Sequence, residues 1–258
     1  MSLNKPVWKL RDWIDINDLD WSILSSNLNA IDLLKENPEN IDWHYLSSNS
    51  NAIELLKANP EKINWFWLSE NSSAVDLLKE VNETNPEKID WTLLSRNSNA
   101  IEMLKANPEK INWNVLSMNS NAIEMLKELN QQHPDRINWI WLSENPNAIE
   151  LLKENPEKID WILLSRNPNA IELLKQNPEK INWTLLSENS NAIDMLKENQ
   201  DKIDWKWISA NPSIFELDYE RMATNNEQIY EELIKEVMKP SRVFKNPDYD
   251  YIEELFGD

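Results

Sequence analysis

Residues 177–199 read NPEKINWTLLSENSNAIDMLKEN, and this phrase decides the fold because the chain repeats it. With each copy's tryptophan as position zero, the copies start at Trp21, Trp43, Trp65, Trp91, Trp113, Trp139, Trp161, Trp183 and Trp205. Six of the eight spacings are 22 residues and two are 26, a four-residue insertion longer. A period of this size is the signature of a stacked architecture whose units cannot bury their apolar faces alone.

The residue before each tryptophan is Asp or Asn, from Asp20 to Asp204. These types cap helices, because the short side chain accepts from the free N–H groups of the first turn. A short helix is therefore expected at each tryptophan, its inner face formed by positions zero, two and three. Position four is always Ser and position six always Asn, followed by Pro in Pro146, Pro168 and Pro212. Asn then Pro reads as N-cap then first helical residue. Ala-Ile-x-Leu-Leu at positions nine to thirteen gives a second helix its apolar stripe. The next Asn-Pro ends it, because a residue before proline is pushed out of the α region.

The two insertions, KEVNETNP and KELNQQHP, follow Lys79 and Lys127 and add Val81 and Leu129 three residues beyond Leu78 and Leu126. That is one more turn on the same face. The expected fold is an all-α solenoid of nine short two-helix copies over residues 20–214, with an N-terminal cap over 1–19 and a C-terminal helical cap or tail over 215–258. Trp8 and Trp13 are available to cover the first copy, and Ile229, Leu233 and Val237 recur at helical spacing before Pro240. The closing segment NPDYDYIEELFGD has its own Asn-Pro start and Gly257 stop, and is expected to dock as a final cap. The competing architecture is a leucine-rich-repeat horseshoe, whose period also fits. Helix capping accounts for the Asp or Asn before tryptophan; a horseshoe strand has no need of it. Trp43, Trp65, Trp91, Trp113, Trp139, Trp161 and Trp183 are expected to be structural, buried in the core.

Composition narrows function. One glycine, Gly257, leaves no phosphate-cradling loop. The absence of cysteine removes disulfides, thiolate zinc sites and a thiol nucleophile. A formal charge of −19 argues against nucleic acid, whose binding rests on neutralising phosphates. The start MSLNKPVWKLRDW lacks a signal-peptide core, and no apolar run is long enough to span a bilayer, so a soluble cytoplasmic protein is expected.

The phrase N-P-E-K-I-[DN]-W-x-x-L-S-x-N-[PS]-N-A-I-x-L-L-K resembles tandem repeats of proteins encoded by giant DNA viruses of the mimivirus and algal-virus kind. The resemblance covers the chain from about Trp8 onward, including WKLRDWIDINDLDW and NPSIFELDY. It implies a viral protein in an infected cell's cytoplasm and brings no activity with it. Gln200, where proline is the commoner residue, and the two insertions depart from the pattern.

No catalytic, metal or cofactor site is read from the chain. His44 and His133 occupy unrelated repeat positions, and the recurring Ser is structural by its repetition. Asp15, Asn17, Asp18 and Asp20 lack the glycine and terminal Glu of a calcium loop, so helix capping accounts for them better. The acidic residue at position eleven and Lys at position fourteen form pairs three apart, a solvated ladder. Specificity in a repeat scaffold belongs where copies differ. Positions one and five vary most and, being four apart, are expected to share a helix face. That points to Phe66, Arg96, Met118, Ile140, Ile162 and Arg166 as a surface for a protein partner, with cover by the neighbouring copy as the competing account of its apolar members. The expected function is a non-enzymatic interaction scaffold, a viral adaptor or decoy for a host protein; the alternative is a structural, virion-associated protein.

Overall fold

The computed structural model describes residues 6–132 and 136–237. The chain divides into two compact units, one spanning Leu10–Glu216 and the other formed by the residues up to Lys9 and from Leu217 on. The three-residue strands Trp8–Leu10 and Phe215–Leu217 fall where the units divide. Between them every copy is helical, with no strand among the described residues, and the fold is an all-α solenoid rather than a horseshoe.

Each copy follows from its own sequence. In all nine, the Asp or Asn before the tryptophan caps the first helix through its side chain, as Asn182 does by accepting from the Leu185 N–H and Asp160 from the Leu163 N–H. The Asn at position six then accepts from the N–H two residues on, as Asn189 does from Asn191. In seven copies it caps a single 3-10 turn, such as Ser190–Ala192, which feeds the second helix Ile193–Glu198. The Asn before Pro has φ near −134° and ψ near 60° at Asn177, outside the α region as a pre-proline residue must be. Its amide donates back to Leu173 O at 2.9 Å and closes the helix end. Asn199, which precedes Gln200 instead of Pro, keeps the same geometry, so the departure from the repeat wording leaves the backbone unchanged.

The insertions act as the spacing predicts. The second helices Val75–Thr84 and Ile123–Gln132 run to 10 residues, and Val81 is buried on the added turn. The side chains of Leu129, Ile229, Leu233 and Val237, together with His133, Pro240 and the segment NPDYDYIEELFGD, lie outside the described residues.

The core is made by three positions. Position three (Leu24 through Leu186, then Ile208), position nine (Ala30 through Ala192, then Ile214) and position thirteen (Leu34 through Leu196) are all fully buried. The nine tryptophans are only half-buried, which corrects their assignment to the core. The reason is the length of the first helix, a single turn of four residues in most copies, such as Trp113–Leu116. On that turn position three points fully inward, position two joins it at Ile23 and Val115, and the tryptophan is left at the rim of the joint. The leucine and the Ser that follows it fill the interior, and position two also stays partly or wholly exposed at Tyr45, Trp67 and Trp207. In six copies the lysine of the next copy lies over the tryptophan ring, from Lys62 over Trp43 at 4.4 Å to Lys202 over Trp183 at 4.4 Å. In these six copies the half-buried tryptophan is thus a seal over the joint, with a cation over its ring.

The joints are hydrogen-bonded by the residues that never vary. The Ser at position four donates its hydroxyl to its own tryptophan carbonyl and accepts the backbone N–H of the next copy's cap, as Ser165 does with Trp161 O and Asn182 N. The Asn at position six donates both amide hydrogens to the preceding copy. Asn189 reaches Ser165 O and Asn167 O, each at 2.9 Å. Where position eight is Asn it adds a bond at the surface, such as Asn191 to Pro168 O.

The same set links the ends. Asn27 of the first copy donates to Ser209 O and Asn211 O of the ninth at 2.9 Å, Asn29 donates to Pro212 O at 3.0 Å, and Asp20 N–H donates to Ser209 Oγ at 2.9 Å. The ninth copy therefore precedes the first in space as the eighth precedes the ninth. The solenoid is a closed ring of nine, and the face of the first copy that an open stack would leave to a cap is taken by the ninth.

In the other unit, Val7 O accepts the Asp218 N–H at 2.9 Å, and Asp218 caps the helix Tyr219–Val237 by accepting from Arg221 N–H.

Candidate functional site

Closing a stack into a ring gives each repeat position a fixed radial place. Side chains of non-neighbouring copies can meet only on the inner side. Arg96 of the fourth copy donates to Glu144 of the sixth at 3.2 Å, passing the fifth, so position five faces the ring's interior. Arg96 also pairs with Glu70 at 3.5 Å, while Arg166 joins Glu144 at 3.5 Å and Glu188. Glu70, Arg96, Glu144, Arg166 and Glu188 thus form one continuous network of three carboxylates and two guanidiniums. The rest of position five is uncharged: Ser26, Ser48, Met118 and Ala210.

Burial shapes this network electrically. Desolvation pushes the Glu70 carboxyl above the usual range, opposed by Arg96 and helped by the like charge of Glu144. Desolvation likewise raises Glu188 against the pull of Arg166. At Arg166 burial works against the charge, but the Glu144 and Glu188 carboxylates together outweigh it and raise its pKa. Its Nε is a buried donor with no partner among the described residues. An opening of about 370 Å³ lies against the network, lined by Ser48, Glu70, Arg96, Met118 and Glu144 and by the position-seven residues of the third to sixth copies.

Position one lies elsewhere. Phe66, Ile140 and Ile162 are 48%, 53% and 55% exposed, whereas Glu70, Glu144, Arg166 and Glu188 are largely covered inside the ring. Positions one and five therefore do not share a face, a correction to the helical-spacing argument: the first helix ends at position three in most copies, before position five is reached. Of the six candidate residues, Phe66, Ile140 and Ile162 are displayed to solvent. Arg96, Met118 and Arg166 face the ring's interior, where Arg96 still has 41% of its side chain exposed.

The displayed residues make two patches. Trp67 stands edge-on to Phe66, centroids 5.2 Å apart, and is stacked with Tyr45 at 6.1 Å, giving an aromatic cluster on the second and third copies. Ile140 and Ile162 occupy the same position in the adjacent sixth and seventh copies. Tyr45 and Trp67 were missed because position two was assigned to the inner face. Their polar-aromatic variation between copies, against aliphatic Leu93 or Leu163 elsewhere, was the available signal.

The other charged groups singled out in the sequence have local structural roles. Asp15 caps the turn Ile16–Asp18 by accepting from Asn17 N–H, and Asp20 caps the first helix. Among the described residues no group of three or more His, Asp and Glu side chains is arranged to hold a metal ion. Position eleven pairs with position fourteen at the surface, from Glu54–Lys57 at 3.3 Å to Glu172–Lys175 at 3.0 Å. His44 is exposed, its backbone N–H donating to Asp42. No helix among the described residues is long and apolar enough to cross a membrane.

No family model, no curated protein and no solved structure matches the chain.

Proposed function

We propose that the chain is a non-enzymatic scaffold for protein–protein interaction, and that the aromatic cluster Tyr45, Phe66, Trp67 and the pair Ile140, Ile162 are its contact surface. The supporting observation is the exposure of Phe66, Ile140 and Ile162, each about half accessible, at a position where Thr92, Asn114 and Thr184 show that polar residues serve equally well. Aromatic and aliphatic anchors of this kind dominate the energetics of protein interfaces. The invariant Ser and Asn side chains are spent on the joints, which leaves variation between copies as the source of specificity. On the resemblance to giant-virus repeats, the partner is a host protein met in the cytoplasm and the chain an adaptor or decoy.

The test is a Phe66→Ser, Ile140→Ser, Ile162→Ser triple variant. With helicity and melting close to the parent, it should lose a partner recovered by the parent from host-cell extract. Retention of every recovered partner by the folded variant would overturn the reading, and self-association with no host protein recovered would favour a structural, virion-associated role.

A further inference from the structure

Of the nine joints in the ring, the one between the ninth and first copies has no short stretch of chain running across it. We propose that this joint is an exchangeable clasp, and that its partner when open is a second copy of this chain.

Three observations carry this. First, the bonds between the first and ninth copies themselves are all of one polarity, as at every other joint. The first copy supplies only donors, the Asp20 N–H and the amides of Asn27 and Asn29; the ninth supplies only acceptors, Ser209 Oγ, Ser209 O, Asn211 O and Pro212 O. Neither face can pair with its own kind, but each is complementary to the opposite face of another chain. The contact is therefore head-to-tail, the arrangement of reciprocal exchange or of open chains.

Second, this joint lacks the cation seal. The residue three before the next tryptophan is Lys in six joints, Arg136 in a seventh and the neutral Asn40 in an eighth; only here, with Asp18 in the position that would face Trp205, is it acidic. The substitute is a strap: Arg11 donates its N–H to Ile214 O at 2.9 Å and its Nε to Ser213 O at 2.7 Å, and pairs with Glu216 at 3.3 Å. Third, opening any other joint leaves its two faces tethered by the connecting helix and turn, so they can only reclose on each other. Opening this one leaves eight joints intact and frees two unlike faces to seat elsewhere.

The ring's near-equivalence supplies a matched control. Asn27→Ala and Asn119→Ala delete the same side chain, with the same bonds, at the clasp and at a tethered joint. Light and heavy isotope-labelled chains are mixed at high concentration in mild urea, returned to buffer, and read by native mass spectrometry and light scattering. Asn27→Ala, and Arg11→Ala alone, should yield mixed-label dimers or larger species at least several-fold above Asn119→Ala held at the same fraction of its own unfolding midpoint. If Asn27→Ala does not fold, Arg11→Ala decides. Monomers throughout for the folded clasp variants, or equal exchange by Asn119→Ala, would overturn the proposal.

Discussion

Arg96 of the fourth copy and Glu144 of the sixth are joined at 3.2 Å across the ring's interior, over the side chain of the copy between them. Glu144 is the hinge of the network, with one oxygen on Arg96 and the other on Arg166. Glu70 and Glu188 sit at its margins with their carboxyl pKa values raised by burial. A carboxyl whose folded pKa exceeds its unfolded value, about 4.3, holds its proton more tightly in the fold. The stability these two groups contribute is complete at and below that value and is lost as pH rises through their raised values. Relative to a Glu70→Gln, Glu188→Gln double variant, the parent should therefore gain stability as pH falls from 7 toward 4.5. Urea midpoints across that range check it; a parent that loses ground on acidification would contradict the assignment of burial as the leading cause.

The invariant Asn should be the strongest single contributor at a joint. Asn119 donates to Ser95 O and Asn97 O in the interior and accepts from Asn121 N–H nearer the surface. Asn119→Ala removes three bonds and leaves two buried carbonyls short of a donor, a cost of about 2–4 kcal/mol. Asn121→Ala loses one exposed bond to Ser98 O and should cost about 1 kcal/mol or less. Equal costs in denaturant melts would mean that the amide of Asn119 is not what binds the copies together.

Much of this was legible in the sequence because capping chemistry is local. Asp or Asn before tryptophan, Asn-Pro, and pairs three apart each act within one turn, and each appears in the structure as read. What crosses between copies was harder. The Asn at position six announces itself as a cap through its oxygen, while its amide, aimed at the preceding copy, leaves no separate trace in the phrase. Alternation of sign at position five, Glu70, Arg96, Glu144, Arg166 and Glu188, was a visible sign of pairing across copies, hidden by treating that position as solvent-facing. Closure itself has no local signature. It depends on the tilt per joint, set by how Ser, Asn, Ala and Leu pack together, and a small error in tilt accumulates over nine copies into an open stack.

The half-buried tryptophan changes the order of mutational costs. Leu116 is fully buried, whereas Trp113 lies partly exposed at the joint. Leu116→Ala should cost about 2–5 kcal/mol, the range for a closed core site. Trp113→Ala, expected from a core reading to cost about 3–5 kcal/mol, should fall below Leu116→Ala despite its larger side chain. Lys110→Gln, which removes the cation over Trp91, should cost about 0.5–1 kcal/mol. Thermal and urea melts of the three variants give the ranking; Trp113→Ala as the most damaging would restore the tryptophan to the core.

Closure also makes the copy number a stability term. In an open solenoid, stability is close to a sum over copies and nearest-neighbour joints, so deleting one copy removes one share of each. Deleting residues 43–64 takes out one whole copy, leaves Asp42 to cap the helix at Trp65, and spares every member of the ion network. Eight copies must then bend more at each joint to meet, against a hydrogen-bond set that suits nine. The clasp should fail, and with it the contribution of Arg11. In the parent, Arg11→Ala should lower stability by about 1 kcal/mol, the range for a partly exposed charged hydrogen bond. In the eight-copy chain the same substitution should cost close to nothing, because its side-chain partners Ser213 O and Glu216 are no longer within reach. The comparison is a double-mutant cycle with the deletion as one arm. An undiminished cost for Arg11→Ala in the shortened chain would show that eight copies close as readily as nine.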